Sequence, residues 1–117
     1  MQLEERMAGN VAIVKVTGDI TLNKGGDVQL KDKVNSLVQQ GNKQILVDLG
    51  GVSYVDSAGL GELVQAFVTT KNRGGALKLV NVTKRLNDLL VVTRLVTVFE
   101  TFDSETQALA SFGSASA

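Results

Sequence analysis

Neither cysteine nor histidine occurs anywhere in the 117 residues. Disulfides, thiolate nucleophiles and zinc sites built from Cys or His are therefore excluded. So is any serine hydrolase that relies on a histidine base. Carboxylate-only metal sites and Ser–Lys chemistry stay open in principle, but no cluster of residues argues for either, so no catalytic residue, metal or cofactor is expected. Aromatic residues make up only 4%, and 12 Lys+Arg balance 12 Asp+Glu. A nucleic-acid binder usually carries a basic surplus or stacking aromatics, so that class is disfavoured and only a local basic patch is left to it. No apolar run is long enough to span a bilayer. No basic segment followed by an apolar stretch opens the chain, which makes cytoplasm the expected compartment. Proline is absent too, in keeping with a regular domain, though this decides nothing by itself.

What is present points to one domain over residues 1–117, with Gly113 to Ala117 as a frayed tail. The most informative stretch is Gln44 to Phe67, QILVDLGGVSYVDSAGLGELVQAF. A near-continuous apolar strand, Ile45 to Leu49, meets a Gly50-Gly51 break. A helix then starts at Ser57 and runs to about Asn72, with Leu60, Leu63, Val64, Phe67 and Val68 on one face at helical spacing. Gly74-Gly75 ends it. A strand thus feeds a tight loop that displays Asp56-Ser57-Ala58-Gly59 at a helix N-terminus, where backbone N–H groups and the helix dipole favour negative charge.

Around this unit the pattern alternates. Met1 to Ala8 reads as a short strand, Gly9-Asn10 as a turn, and Val11 to Thr17 as a second strand with Val11, Ile13 and Val16 inward. The polar segment Gly18 to Gly26 reads as a loop containing Asp19, Thr21, Asn23 and Lys24. Asp27 is placed to cap a helix to about Gln40, with Leu30, Val34, Leu37 and Val38 buried and Gly41-Asn42 as its stop. Leu77 and Leu79, with Val82 a further candidate, mark the next strand; Thr83 caps a helix through Leu90; Val96 to Phe102 reads as a last strand; Asp103-Ser104-Glu105 opens a closing helix with Ala108, Leu109 and Phe112. The expected fold class is α/β, a small, mostly parallel mixed sheet with about four helices packed on it.

A D-S-x-G loop has a bland explanation, since Asp and Ser open many helices merely by capping free N–H groups. On that reading Asp56 is the N-cap and Ser57 an ordinary first-turn residue. Against it, glycines 59 and 61 within the first turn cost about 1 kcal/mol each relative to alanine. That cost implies close approach to the backbone by the next strand or by a partner protein. The Asp19–Lys24 loop falls on the same edge as the Val52–Asp56 loop in such a layout, so the two are placed to share one polar surface.

The segment VDLGGVSYVDSAGLGEL (Val47 to Leu63) resembles the signature of STAS domains, specifically bacterial anti-sigma factor antagonists. The similarity continues in V-x-G-D-I at Val16 to Ile20, G-G-x-L-K-L-V-N-V from Gly74, and V-F-E-T-F-D-S-E-x-x-A-L from Val98 to Leu109. It implies a regulator that binds an anti-sigma factor and releases the sigma factor. The anti-sigma factor is often a serine kinase that uses ATP to phosphorylate the serine of this motif, here Ser57, and a phosphatase reverses the mark. ATP would be bound by that kinase and not by this chain alone. The resemblance places Asp56, Ser57, Ala58, Gly59, Leu60 and Gly61 at or near the partner surface, with Asp19, Thr21 and Asn23 beside them. Asp19 is kept from the family pattern, whereas Thr21 stands where a second acid is often found. Arg94 stands near the position where the helix after Thr83 usually ends in glycine. The chain is read as a monomer or weak dimer without membrane insertion.

Other classes remain beside the Ser57 switch. A STAS domain that only scaffolds, for example in a transport complex, is one; in those relatives the serine motif is frequently degenerate, whereas here D-S-A-G-L-G is intact. An enzyme or small-molecule binder is another, and no catalytic constellation supports it.

Overall fold

A computed structural model describes residues 2–21 and 26–113, with the side chains of 26–28 and 113 left aside. Two strands, β1 (Gln2–Ala8) and β2 (Val11–Ile20), form an antiparallel hairpin around Gly9-Asn10. Three further strands, β3 (Gln44–Val55), β4 (Ala76–Val80) and β5 (Thr101–Phe102), add in parallel, giving the order β1-β2-β3-β4-β5. Helices α1 (Gly26–Gln39), α2 (Ser57–Asn72) and α3 (Lys84–Val92) make the connections, and α4 (Glu105–Gly113) closes the chain. The expected mixed α/β sheet with four helices is the one found.

The sheet is buried on both faces at β2, β4 and the first half of β3, while the edge strand β1 is largely exposed. Ala12, Val14, Ile45, Val47 and Leu79 pack with Leu30, Leu37, Leu63, Leu86 and Leu90 of the first three helices. Val11, Ile13, Leu46 and Val80 meet Ala108 and Phe112 of α4 on the opposite side. This explains the continuous apolar run of β3, since a strand covered on both faces loses the alternation of a half-exposed one. It also widens the inward set of β2 from Val11, Ile13 and Val16 to include Ala12 and Val14.

Local stop and start signals act as their chemistry predicts. At the end of α1, Asn42 N donates to Leu37 O and Gly41 N to Val38 O, the Schellman pattern, with Gly41 at φ +96°. The end of α2 repeats it with Gly75 to Thr70 and Gly74 to Lys71. Thr83 caps α3 by accepting from Leu86 N at 3.3 Å, and Ser104 accepts from Gln107 N at 3.2 Å at the start of α4. Helix α1 begins at Gly26; the side chain of Asp27, its expected cap, lies outside the described residues, as do Asn23, Lys24 and the 114–117 tail.

Three expectations are corrected. Gly50-Gly51 does not end β3. The pairing of β2 with β3 steps from Lys15↔Asp48 to Thr17↔Gly51 and from Gly18↔Val52 to Asp19↔Tyr54, so β3 twice carries an extra residue. The glycines are part of a bulge that bends the strand and lets it continue to Val55. Likewise, β2 reaches Ile20, taking Gly18, Asp19 and Ile20 out of the expected loop. The last strand shrinks from Val96–Phe102 to Thr101–Phe102 because a 3-10 turn occupies Leu95–Thr97, with Val96 and Val98 exposed and only Phe99 buried. Val82 falls beyond the end of β4.

The buried stripe of α2 also differs from the apolar one. Gly59, Leu60, Glu62, Leu63, Ala66 and Thr70 are buried, whereas Val64 and Phe67 are half-buried and Val68 is 45% exposed. Besides the sheet, α1 packs on this helix, so its contact face turns toward the small residues and Glu62, whose Oε1 accepts from Lys31 N of α1 at 2.8 Å.

Candidate functional site

Because β4 pairs with β3 only from Gln44 to Asp48, the second half of β3 projects past its neighbour, flanked by β2 alone. The strand ends at Val55, Asp56 is the only residue between it and α2, and Ser57 is the first residue of that helix. Asp56 is extended (φ −92°, ψ −179°) and its Oδ1 accepts from Gly59 N at 2.7 Å, as an N-cap should. Its own N–H donates to Ile20 O at 3.3 Å, tying the helix start to the end of β2. With the cap carried by Asp56, the Ser57 side chain stands exposed.

The two glycines behave differently. A Cβ on Gly59 would lie 2.0 Å from Ile20 O, whereas nothing lies within 4 Å of one on Gly61. Close approach therefore explains Gly59, and the approaching backbone is β2 of the same chain. It does not explain Gly61, contrary to the expectation from the first-turn pattern. The exposed part of the motif is accordingly narrow. Ser57 is exposed, and Asp56, Ala58 and Gly61 are half-buried. Gly59 and Leu60 are buried beneath them.

The β2 edge does come alongside. Asp19 is paired in register with Tyr54, and Ile20 with Val55. Asp19 is half-buried, while Thr21 is only 8% exposed and its Oγ1 has no hydrogen-bond partner among the described residues, so it offers little to a surface. Of the expected shared surface, Asp19 lies across the strand pairing from Tyr54, two residues before Asp56. Asn23 lies outside the described residues.

Sequence reasoning missed a groove of about 470 Å³ between the projecting end of β3 and α3, lined by Val52, Tyr54, Val55, Ser57, Arg85, Leu86, Leu89 and Val92 among others. Nothing in the local pattern joins Arg85 to Ser57; the crossover through β4 does. Among the described residues no group of three or more acidic side chains is placed to hold a metal ion. None of their helices is long and apolar enough to cross a membrane.

The STAS domain family model matches residues 2–108. The anti-sigma-B factor antagonist of Bacillus subtilis (strain 168) is 35% identical over 97 residues, spanning 78% of this chain and 88% of that protein. A crystal structure of a candidate anti-sigma factor antagonist from Thermotoga maritima superposes with a TM-score of 0.85 at 20% identity, over 93% of this chain and 92% of the other. The phosphorylated form of the Bacillus cell fate determinant SpoIIAA gives a TM-score of 0.73 at 16% identity, over 95% and 99%. At those identities the two structures speak to the fold alone.

Proposed function

The chain belongs to the STAS domain family, and on that premise we propose that it is an anti-sigma factor antagonist switched at Ser57. The observation that carries this reading is the exposed Ser57 hydroxyl at the start of α2, in an intact D-S-A-G motif whose capping work is done by Asp56. The sequence likeness to a Bacillus antagonist supports it. The partner is an anti-sigma factor that is also a serine kinase. In its unphosphorylated form the antagonist binds this partner through Ser57 and its neighbours, and the sigma factor is released.

Phosphorylation would place a new bond from Ser57 Oγ to the γ-phosphorus of kinase-bound ATP. ADP leaves, and the hydroxyl proton passes to a base of the kinase. The product carries roughly −1.5 to −2 charges at neutral pH, one residue from Asp56. At a desolvated contact shaped for a hydroxyl, that charge repels the partner. A phosphatase restores the binding form by hydrolysis. No cofactor is required of this chain, and its action is binding, not catalysis.

The test is titration of Ser57→Ala and Ser57→Asp against the anti-sigma kinase encoded nearest this gene, with mass spectrometry of the wild type after incubation with ATP. Ser57→Ala is expected to bind and act constitutively. Ser57→Asp should bind more weakly by about 2–5 kcal/mol, some tens to thousands-fold. Equal affinities, with no phosphate on Ser57, would leave a purely scaffolding STAS domain as the better reading.

A further inference from the structure

We propose that Arg85 is the cation that a phosphoryl group on Ser57 captures, so that phosphorylation bridges and closes the mouth of the groove between β3 and α3. This rests on the reading of Ser57 as a phosphorylated switch and adds a second consequence to the mark. Charge would be added at the partner surface, and at the same time an apolar groove beside it would be barred.

The groove brings the two residues to one space. Ser57 comes from the start of α2 and Arg85 from the first turn of α3, and both line the same space of about 470 Å³. Its lining includes the apolar side chains of Val52, Val55, Leu86 and Leu89.

The charged groups around this space explain why Arg85 is the one available. Asp88 also lines the groove, but its Oδ2 pairs with Lys84 Nζ at 3.0 Å, one helical turn away. Asp56 spends Oδ1 on the Gly59 amide. Arg85 is exposed and has no ion pair among the described residues. A guanidinium on a long, flexible stem is suited to a phosphate, which it grips with two parallel N–H···O bonds. Asp56 beside the phosphoryl group makes the need for a counter-charge greater, since two adjacent anions repel. Lys84, by contrast, is not among the residues lining the groove.

Phosphoserine incorporated at position 57 during translation tests this without a kinase. The second ionisation of the phosphate, near pH 6 when unperturbed, is followed by 31P NMR in the wild-type, Arg85→Gln, Arg85→Lys and Lys71→Gln backgrounds. A cation held 4–6 Å away favours the dianion, so Arg85→Gln should raise the midpoint by about 0.5 unit at low ionic strength. Arg85→Lys should recover part of that shift, Lys71→Gln in the last turn of α2 should leave the midpoint in place, and added salt should shrink the difference. Arg85 is exposed, so the variants are expected to keep the wild-type amide spectrum when unphosphorylated. Superimposable titrations of the wild-type and Arg85→Gln phosphoproteins overturn the proposal. Failure of the partner kinase to phosphorylate Ser57 overturns the reading above instead, because the installed phosphoserine does not depend on it.

Discussion

Gly59 lies so close to the backbone of Ile20 that a Cβ built on it would fall 2.0 Å from the Ile20 carbonyl oxygen. The same oxygen accepts from Asp56 N at 3.3 Å. The first turn of α2 is therefore clamped onto the end of β2, and the clamp sets where the Ser57 hydroxyl emerges. The glycine in the D-S-A-G motif serves the placement of Ser57 from beneath it.

Replacing that glycine measures the clamp. Alanine gains about 1 kcal/mol of helix propensity, yet at position 59 it must push a backbone carbonyl aside, an overpacking cost of about 3 kcal/mol or more. Gly59→Ala should thus lose stability in urea unfolding. Gly61→Ala, with open space around its Cβ, should gain up to about 1 kcal/mol. The same sign for both would contradict the clamp.

Leu46 and Val47 are both fully buried on opposite faces of the central strand, Leu46 toward α4 and Val47 toward α1 and α2. A carboxylate at either place is buried without a partner, which costs several kcal/mol against a typical total of about 5–15. Leu46→Asp and Val47→Asp should each abolish cooperative unfolding at room temperature. A wild-type melt for either variant would show that its face of the sheet is not covered as described.

Arg94 follows the end of α3 in the left-handed region at φ +64°. A residue with a Cβ pays about 1–2 kcal/mol there, and glycine avoids this while losing part of the gain to its freer unfolded chain. Arg94→Gly should stabilise by about 0.5–1 kcal/mol, read as a higher urea midpoint at unchanged slope. No shift, or a lower midpoint, would mean the arginine makes up the strain through its surroundings.

The phosphoryl group at Ser57 should leave the fold in place. It sits at the positive end of the α2 dipole, an interaction of about 0.3–1 kcal/mol in its favour, which offsets repulsion from Asp56. Amide shifts on phosphorylation are expected at the start of α2, the end of β2 and the groove wall of α3. Changes spread through every strand would refute this.

What the sequence determined by itself is what is settled within a few residues. The N-caps Thr83 and Ser104, the Asp56 cap before Ser57, and the glycine stops at Gly41 and Gly74 all act through hydrogen bonds to their own turn, so local residue types suffice to read them. Apolar spacing likewise announced the helices and the doubly covered strand at Ile45 to Leu49. The family resemblance also put Arg94 in the neighbourhood of a helix end that is usually glycine. Tertiary structure decided the rest. Gly50-Gly51 resembles a strand end, but β2 continues to pair alongside and turns it into a bulge. The buried face of α2 follows from α1 packing beside it, which draws in Glu62 and leaves Val68 in water. Whether Gly59 or Gly61 met a neighbour depended on where β2 ended. Arg85 and Ser57 are far apart in the chain and share a groove only because β3 outruns β4, a difference in strand length that no local pattern of either residue encodes.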